Sequence, residues 1–163
     1  MDPLQRYQLD LESKAITADD AQRALVGHLQ DLYDLIIQTP SNSSGPLGWL
    51  KQRLFASGQT AVPIQGLYIW GGVGRGKTYL MDVFFESLPS EAKMRTHFHR
   101  FMQRVHRDLA SLQGQKNPLE YVADQIAAES RVLCFDEFFV RDIGDAMILA
   151  GLLEALFKRQ VIL

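Results

Sequence analysis

Hydrophobic residues recur at helical spacing over residues 19–38, where Ala21, Leu25, Leu29, Leu32 and Ile36 stand three or four positions apart behind an acidic start. The spacing predicts an amphipathic helix whose role is packing. From Gly66 the pattern alternates between short apolar runs and helical stripes. Residues 67–70 form an apolar run that ends in glycines, and residues 79–88 carry Leu80, Met81, Phe84, Phe85 and Leu88 on one helical face until Pro89 stops it. Residues 95–99 are predicted as a second short strand, and residues 100–112 as a helix with Phe101, Val105, Leu109 and Leu112 on its apolar side. Asn117, Pro118 and Glu120 supply an N-cap, a first-turn proline and a capping-box acid, so another helix is predicted to about Glu129. Residues 131–135 are a continuous apolar strand, Asp142 can cap a further helix to about Lys158, and Val161 opens the next strand. Continuous rather than alternating apolar strands, separated by helices, predict an α/β fold with a parallel sheet covered on both faces.

The stretch PSNSSGPLG, beginning at Pro40, is a loop or linker by composition. It divides the chain into an N-terminal helical arm and linker, residues 1–48, and a main body, residues 49–163. No internal repeat is present. With 163 residues, 47% hydrophobic and 22% charged, the length suits one packed domain and the composition excludes disorder throughout. A formal net charge of -2 argues against a nucleic-acid binder that works by bulk charge, and leaves a local basic patch open. The single cysteine, Cys134, allows no internal disulfide and no zinc framework, which points to a reducing compartment. The amino terminus has no secretory pattern, and the most apolar stretch, residues 147–157, is interrupted by Glu154. That stretch falls short of the roughly 20 residues that cross a bilayer, so a soluble, cytoplasmic protein is expected, with peripheral membrane attachment through a partner left open.

The sharpest chemical signal is Gly71-Gly72-Val73-Gly74-Arg75-Gly76-Lys77-Thr78, which matches GxxxxGK[ST] at every fixed position, between an apolar strand and an amphipathic helix. Glycines let the backbone wrap closely around polyphosphate, and the N–H groups at a helix start bind anionic oxygens. Lys77 would reach the β- and γ-phosphates, and Thr78 would offer its hydroxyl to Mg²⁺. Tyr79 continues this nucleotide-binding stretch. A glycine turn that merely joins strand to helix is the alternative, and motif and context together argue against it.

A second signal is the apolar run Val132-Leu133-Cys134-Phe135 followed by Asp136-Glu137. Asp136, at the carboxyl end of a strand, is placed to hold Mg²⁺ opposite Thr78, and Glu137 is suited to polarise the attacking water. Between the two motifs lie a predicted strand and two helices. This arrangement resembles the P-loop division that inserts strands beside the P-loop strand and uses an acidic water activator, which includes AAA+ ATPases.

Arg100, Arg104 and Arg107 share one helical face, a basic stripe opposite the apolar one. It reads as a solvated face, or as a contact for a neighbouring subunit, a polymer or nucleic acid. His97 and His99 share one side of the predicted strand, without a local carboxylate or thiol to complete a metal site. Ahead of the core, Tyr7, Asp20 and Gln22 stand where ATPases of this division build part of the adenine pocket, and the Gln22 amide is the one expected to read the base. Arg75 can touch phosphate or a neighbouring subunit, and Cys134 reads as a small buried hydrophobe.

Residues 66–78, then Leu80-Met81-Asp82, His97-Phe98-His99-Arg100-Phe101-Met102 with His106, Phe135-Asp136-Glu137-Phe138, Asp142-Ile143 and Asp145-Ala146-Met147 resemble the ZapE cell-division ATPases and their mitochondrial relatives. The HFHRFM and DAM segments are more specific than either nucleotide motif. The resemblance implies an incomplete AAA+-like, three-layer αβα P-loop core, ATP and Mg²⁺ as ligands, Lys77 and Glu137 as catalytic residues, and Thr78 with Asp136 at the metal. It also implies a link to the division ring through FtsZ at the inner membrane. For mitochondrial members it implies a link to turnover of inner-membrane respiratory subunits. Phe139 and Arg141 depart from the family pattern, and the match at Tyr7 and Gln22 is loose. In the family, Val161-Ile162-Leu163 continues into a strand ending in a polar sensor, followed by an arginine that reaches a neighbouring site. The chain is therefore expected to be an N-terminal portion that binds phosphate, hydrolyses ATP weakly and is open to self-association through its sheet edge.

Three functions follow as expectations. The first is an ATPase that drives conformational change in a division partner. The second is a DNA-associated loader or helicase accessory using the arginine stripe, and the third a nucleotide-gated adaptor for membrane-protein turnover.

Overall fold

The computed structural model describes residues 1–39 and 64–163, so the predicted linker and the boundary at residue 48 lie outside the described residues. The described elements are helices α1 (Pro3–Glu12), α2 (Asp20–Gln38) and α3 (Lys77–Ser87), strand β1 (Lys93–His97), helices α4 (Phe98–Ser111) and α5 (Pro118–Glu129), strand β2 (Val132–Asp136) and helix α6 (Ile143–Lys158). Among them no helix is long and apolar enough to cross a membrane.

Local chemistry explains most of the boundaries. Asp19 opens α2 by accepting from the N–H groups of Ala21 and Gln22, and Asp142 opens α6 by accepting from the Asp145 N–H at 2.8 Å. Helix α1 has no counterpart in the hydrophobic pattern. It forms because the Asp2 carboxylate accepts from the Gln5 N–H at 2.8 Å, the Gln5 side chain accepts from the Asp2 N–H at 3.4 Å, and Pro3 fixes the first helical residue. The stripe on α2 is turned slightly from its predicted axis: Leu29, Leu32 and Ile36 are buried with Val26, whereas Ala21 faces solvent.

Two predicted boundaries move. The second strand covers Lys93–His97 rather than residues 95–99, because Phe98 already turns into the core as the first residue of α4. At α5, Asn117 adopts a left-handed φ of 56° and makes no side-chain cap, and the Glu120 carboxylate pairs with Arg159 at 2.8 Å instead of closing a capping box.

Strands β1 and β2 pair in parallel, in register from Lys93 opposite Val132 to His97 opposite Asp136. On the other side of β2, Ile162 forms a single parallel bridge with Val132: the Leu133 N–H donates to Ile162 and the Ile162 N–H to Arg131, both at 2.8 Å. Leu163 in turn accepts from the Leu67 N–H at 3.0 Å. The spatial order is therefore the segment before the glycine loop, then Ile162, then β2, then β1.

The predicted strand at residues 67–70 is extended but forms no ladder, which corrects the expectation of a fuller parallel sheet. Its physical basis is the single point of contact. Among the described residues Leu67 finds one backbone partner, Leu163, a Cβ at the neighbouring Gly66 would overlap the Leu163 carbonyl, and Trp70 is 83% exposed.

Side chains alternate across β2 and feed two separate apolar clusters. Val132 and Cys134 join Ile162, Leu80, Phe84 and the buried faces of α1 and α2, while Leu133 and Phe135 join Val161 and the buried faces of α4, α5 and α6. Both faces of the small sheet are thus covered by helices, as the continuous apolar strand predicts. Burial also pushes the Cys134 thiol up to about 11, which keeps it an unreactive protonated hydrophobe.

Leu152 is fully enclosed in the second cluster, so Leu152→Ala is expected to destabilise the protein by about 2–5 kcal/mol in denaturant unfolding. Met147→Ala, on the same helix but 73% exposed, should stay within about 0.5 kcal/mol.

Candidate active site

Two glycines shape the loop ahead of α3. Gly74 and Gly76 adopt left-handed φ values of 80° and 75°, where any other residue is strained. A Cβ at Gly76 would also meet the Gln22 amide nitrogen at 2.8 Å. Gly76 is the N-cap of α3 and has no side chain, and among the described residues no side chain caps that helix. The first-turn N–H groups, with the positive end of the helix dipole, are thereby left for an anion. Lys77, the first residue of α3, curls back so that its Nζ donates to the carbonyls of Gly71 at 2.9 Å and Gly72 at 2.6 Å, holding the ammonium inside the loop.

Thr78 and Asp136 meet although 58 positions separate them: the Thr78 Oγ1 donates to Asp136 Oδ1 at 3.3 Å. The other carboxylate oxygen, Oδ2, accepts from Arg95 Nη2 at 2.9 Å, and Arg95 Nη1 is also paired with Asp82 on α3. Glu137 follows at the strand end, exposed and at a left-handed φ of 53°. For a glutamate this conformation costs about 1–2 kcal/mol, and it turns the backbone away from the strand direction just beyond Asp136. Lys77, Asp136 and Glu137 line one open cavity of about 700 Å³, together with Trp70, Gly71 and the aromatic side chains of Phe138 and Phe139. A second cavity, of about 260 Å³ near the end of α2, contains none of these residues.

The residues expected at the base divide. Gln22 does lie at the loop, but its Nε2 donates to the Arg75 carbonyl at 3.2 Å, and its Oε1 is buried without a partner among the described residues. Arg75 leans towards Asp19 at 3.8 Å, and Val73 is fully exposed at the loop tip. Tyr79 points to the arm: its hydroxyl donates to Asp10 at 2.6 Å, and burial with that carboxylate raises its pKa. Tyr7 is buried in the cluster that joins the arm to α3, with its hydroxyl unpaired among the described residues.

The arginine stripe is only partly free. Arg104 forms a two-pronged pair with Glu129, 2.7 Å on each arm, and also reaches Asp108. Only Arg100 and Arg107 of the three remain exposed without such a pair among the described residues. His97 and His99 do not share a strand face, since His99 lies in α4. Their rings stack with centroids 5.8 Å apart. His106 instead pairs with Asp145 at 2.5 Å, which ties two of the resemblance motifs together.

Arg95 and Asp10 were not singled out by the sequence patterns, and Asp82 entered only as part of the resemblance segment Leu80-Met81-Asp82. A usable signal was present for Arg95, because a cation inside a strand of a covered sheet requires a carboxylate partner, and Asp82 and Asp136 both flank the same motifs.

A glycine loop entering a helix through Lys-Thr, facing an Asp-Glu pair at the end of a parallel strand, is the arrangement of P-loop nucleotide-binding proteins. The profile of the AFG1-like ATPase family matches residues 1–163, and the chain belongs to that family. It is 50% identical over 165 aligned positions, 99% of this chain, to the Cell division protein ZapE of Escherichia coli K12. It is also 45% identical over 111 positions to Lactation elevated protein 1 homolog B of Danio rerio, covering 61% of this chain and 22% of the relative. An uncharacterized protein of Schizosaccharomyces pombe is 36% identical over 141 positions, 76% of this chain and 31% of the relative. The chain spans 44% of the length of the Escherichia coli relative. No solved structure matches it at a significant level.

The hydrogen bonds from Arg104 hold the Glu129 carboxyl below its ordinary value of 4.5. A carboxyl depressed in the folded state contributes stability that is present above that ordinary value and lost as pH falls through the folded value. Glu129→Gln is therefore expected to be less stable than the native protein at pH 7, with the difference closing under acid; a difference independent of pH would contradict the pairing.

Proposed function

We propose that the protein binds ATP with Mg²⁺ at the glycine loop and hydrolyses it to drive rearrangement of a cell-division partner. The observation that carries this reading is the uncapped start of α3, with Lys77 in the loop and the Thr78 hydroxyl already against Asp136. Hard oxygen donors of this kind suit a small divalent cation that retains several waters, and Thr78 and Asp136 would hold it. When bound, Mg²⁺ neutralises charge on the β- and γ-phosphate oxygens.

The chain's own groups divide the remaining work. Loop N–H groups receive phosphate oxygens, and Lys77 exchanges its carbonyl partners for the terminal phosphates. Glu137 orients the attacking water and accepts its proton, because it is exposed beside Asp136 and lines the same cavity as Lys77. Gln22 and Arg75 are proposed to border the nucleotide, with the buried Gln22 Oε1 as the acceptor still lacking a donor. Tyr79 contributes its backbone to the same stretch, its side chain being engaged with Asp10.

Residues 49–163 are proposed to be the nucleotide-binding part of an AAA+-like αβα core, with residues 1–48 as an N-terminal helical arm and linker whose helices α1 and α2 pack on it. Support comes from the helices on both faces of the sheet and from the insertion of Ile162 between β2 and the loop segment. Identity to a cell-division protein over nearly the whole chain supports the FtsZ ring as the partner, reached from the cytoplasmic side of the inner membrane. The DNA-loader alternative is less favoured, since Arg104 is committed to Glu129 and Asp108.

In the full-length protein, Lys77→Ala is expected to lose nucleotide binding. Glu137→Gln should keep binding and lose about 10²–10⁴-fold in single-turnover hydrolysis. Normal hydrolysis by Glu137→Gln would remove the residue from its proposed role. Co-sedimentation with FtsZ polymers without DNA-stimulated turnover is the expected partner result, and the reverse pattern would favour the loader.

A further inference from the structure

Asp136 uses its two oxygens differently. Oδ1 faces the Thr78 hydroxyl, and Oδ2 is taken by Arg95. Arg95 stands at the middle of β1, opposite Cys134 in the register, and its second terminal nitrogen holds Asp82. Asp82 lies one helical turn after Thr78 on α3. One guanidinium therefore clamps the helix that carries Thr78 to the strand that carries Asp136, from a third element. Its planar fork suits two carboxylates at once, which a lysine ammonium on a flexible stem does not reproduce. Arg95 is only 29% exposed and the Asp136 side chain 19%, so the pair is partly shielded from solvent and holds its geometry better than a surface ion pair.

We infer that Arg95 is a positioning residue for the divalent cation: by occupying Oδ2 of Asp136 and anchoring Asp82, it fixes Oδ1 beside Thr78, so that these two oxygens are presented together to the metal of a bound nucleotide. The inference rests on the nucleotide reading above and deepens it. Arg95 touches neither phosphate nor metal in this role. Its effect falls on how much Mg²⁺ strengthens nucleotide binding, while the metal-independent part, carried by the loop amides and Lys77, is left alone.

The test is ADP affinity in the full-length protein, titrated with a fluorescent ADP analogue once in excess EDTA and once in excess Mg²⁺. Native protein is expected to bind more tightly with Mg²⁺. Arg95→Ala should lose about 10- to 100-fold of that Mg²⁺-dependent gain, with its affinity in EDTA within about twofold of native. Arg95→Lys should lose most of the gain as well, and Asp82→Asn, which leaves the Asp136 contact in place, a smaller part. Asp82→Asn also keeps the question answerable if Arg95→Ala does not fold. An unchanged or increased Mg²⁺ gain in Arg95→Ala would overturn the inference. So would full retention by Arg95→Lys, which would reduce the role to charge alone, or equal weakening in EDTA and Mg²⁺, which would mark a general structural role. If native protein binds no ADP in either condition, the nucleotide reading itself fails, and the inference with it.

Discussion

Strand β2 must bury side chains on both of its faces, and the rest of the molecule is arranged around meeting that requirement. Five residues, Val132–Asp136, send Val132 and Cys134 to one side and Leu133 and Phe135 to the other. Each buried aliphatic side chain is worth about 1.5–3 kcal/mol when removed from water, which only helices packed on both faces can supply here. Helices α1, α2 and α3 cover one side, and α4, α5 and α6 the other. The same strand then ends in Asp136 and Glu137, where the apolar run stops and the chain reaches solvent. Packing and chemistry are thus consecutive stretches of one short segment.

The position of that strand end also settles which groups can meet. Helix α3 packs on the face that holds Val132 and Cys134, so its first turn, with Lys77 and Thr78, arrives beside Asp136. Arg95 reaches the same point from β1 because the parallel register sets it one residue before the position paired with Phe135. Three elements converge with two cations and three carboxylates, counting Asp82 and Glu137. Within that group the charges are partitioned: Arg95 is used between carboxylates, and Lys77 rests on neutral carbonyls. Lys77 is therefore the cation whose present partners an anionic ligand can replace without leaving a carboxylate unpaired.

The hydrophobic pattern carried most of this. Long amphipathic stretches such as α2 and α4 were legible because a helical face of four or more apolar residues has few other ways to be buried. The loop and the Asp-Glu pair were legible because glycines at fixed spacing, and acids after an apolar run, carry a mechanism. Other features lie beyond a one-dimensional pattern. Helix α1 depends on a capping box between Asp2 and Gln5 more than on an apolar stripe, and Asn117 takes a left-handed backbone where a conventional cap was expected. The arginine stripe looked uniformly basic because Glu129, which neutralises Arg104, lies 25 positions away on another helix. The strand before the glycine loop was legible as apolar, but whether it pairs depends on a neighbour, and among the described residues the Leu67 N–H finds one backbone partner, Leu163.

Central to this account is that Thr78 and Asp136, brought together by packing of α3 against β2, act on the divalent cation as one unit. The most direct measurement is a double-mutant cycle on Mg²⁺-dependent ADP affinity in the full-length protein, using Thr78→Val, Asp136→Asn and the pair combined. The account predicts strong coupling, with the second substitution removing little once the first is present. Additive losses would mean that the two side chains act independently, and would contradict it.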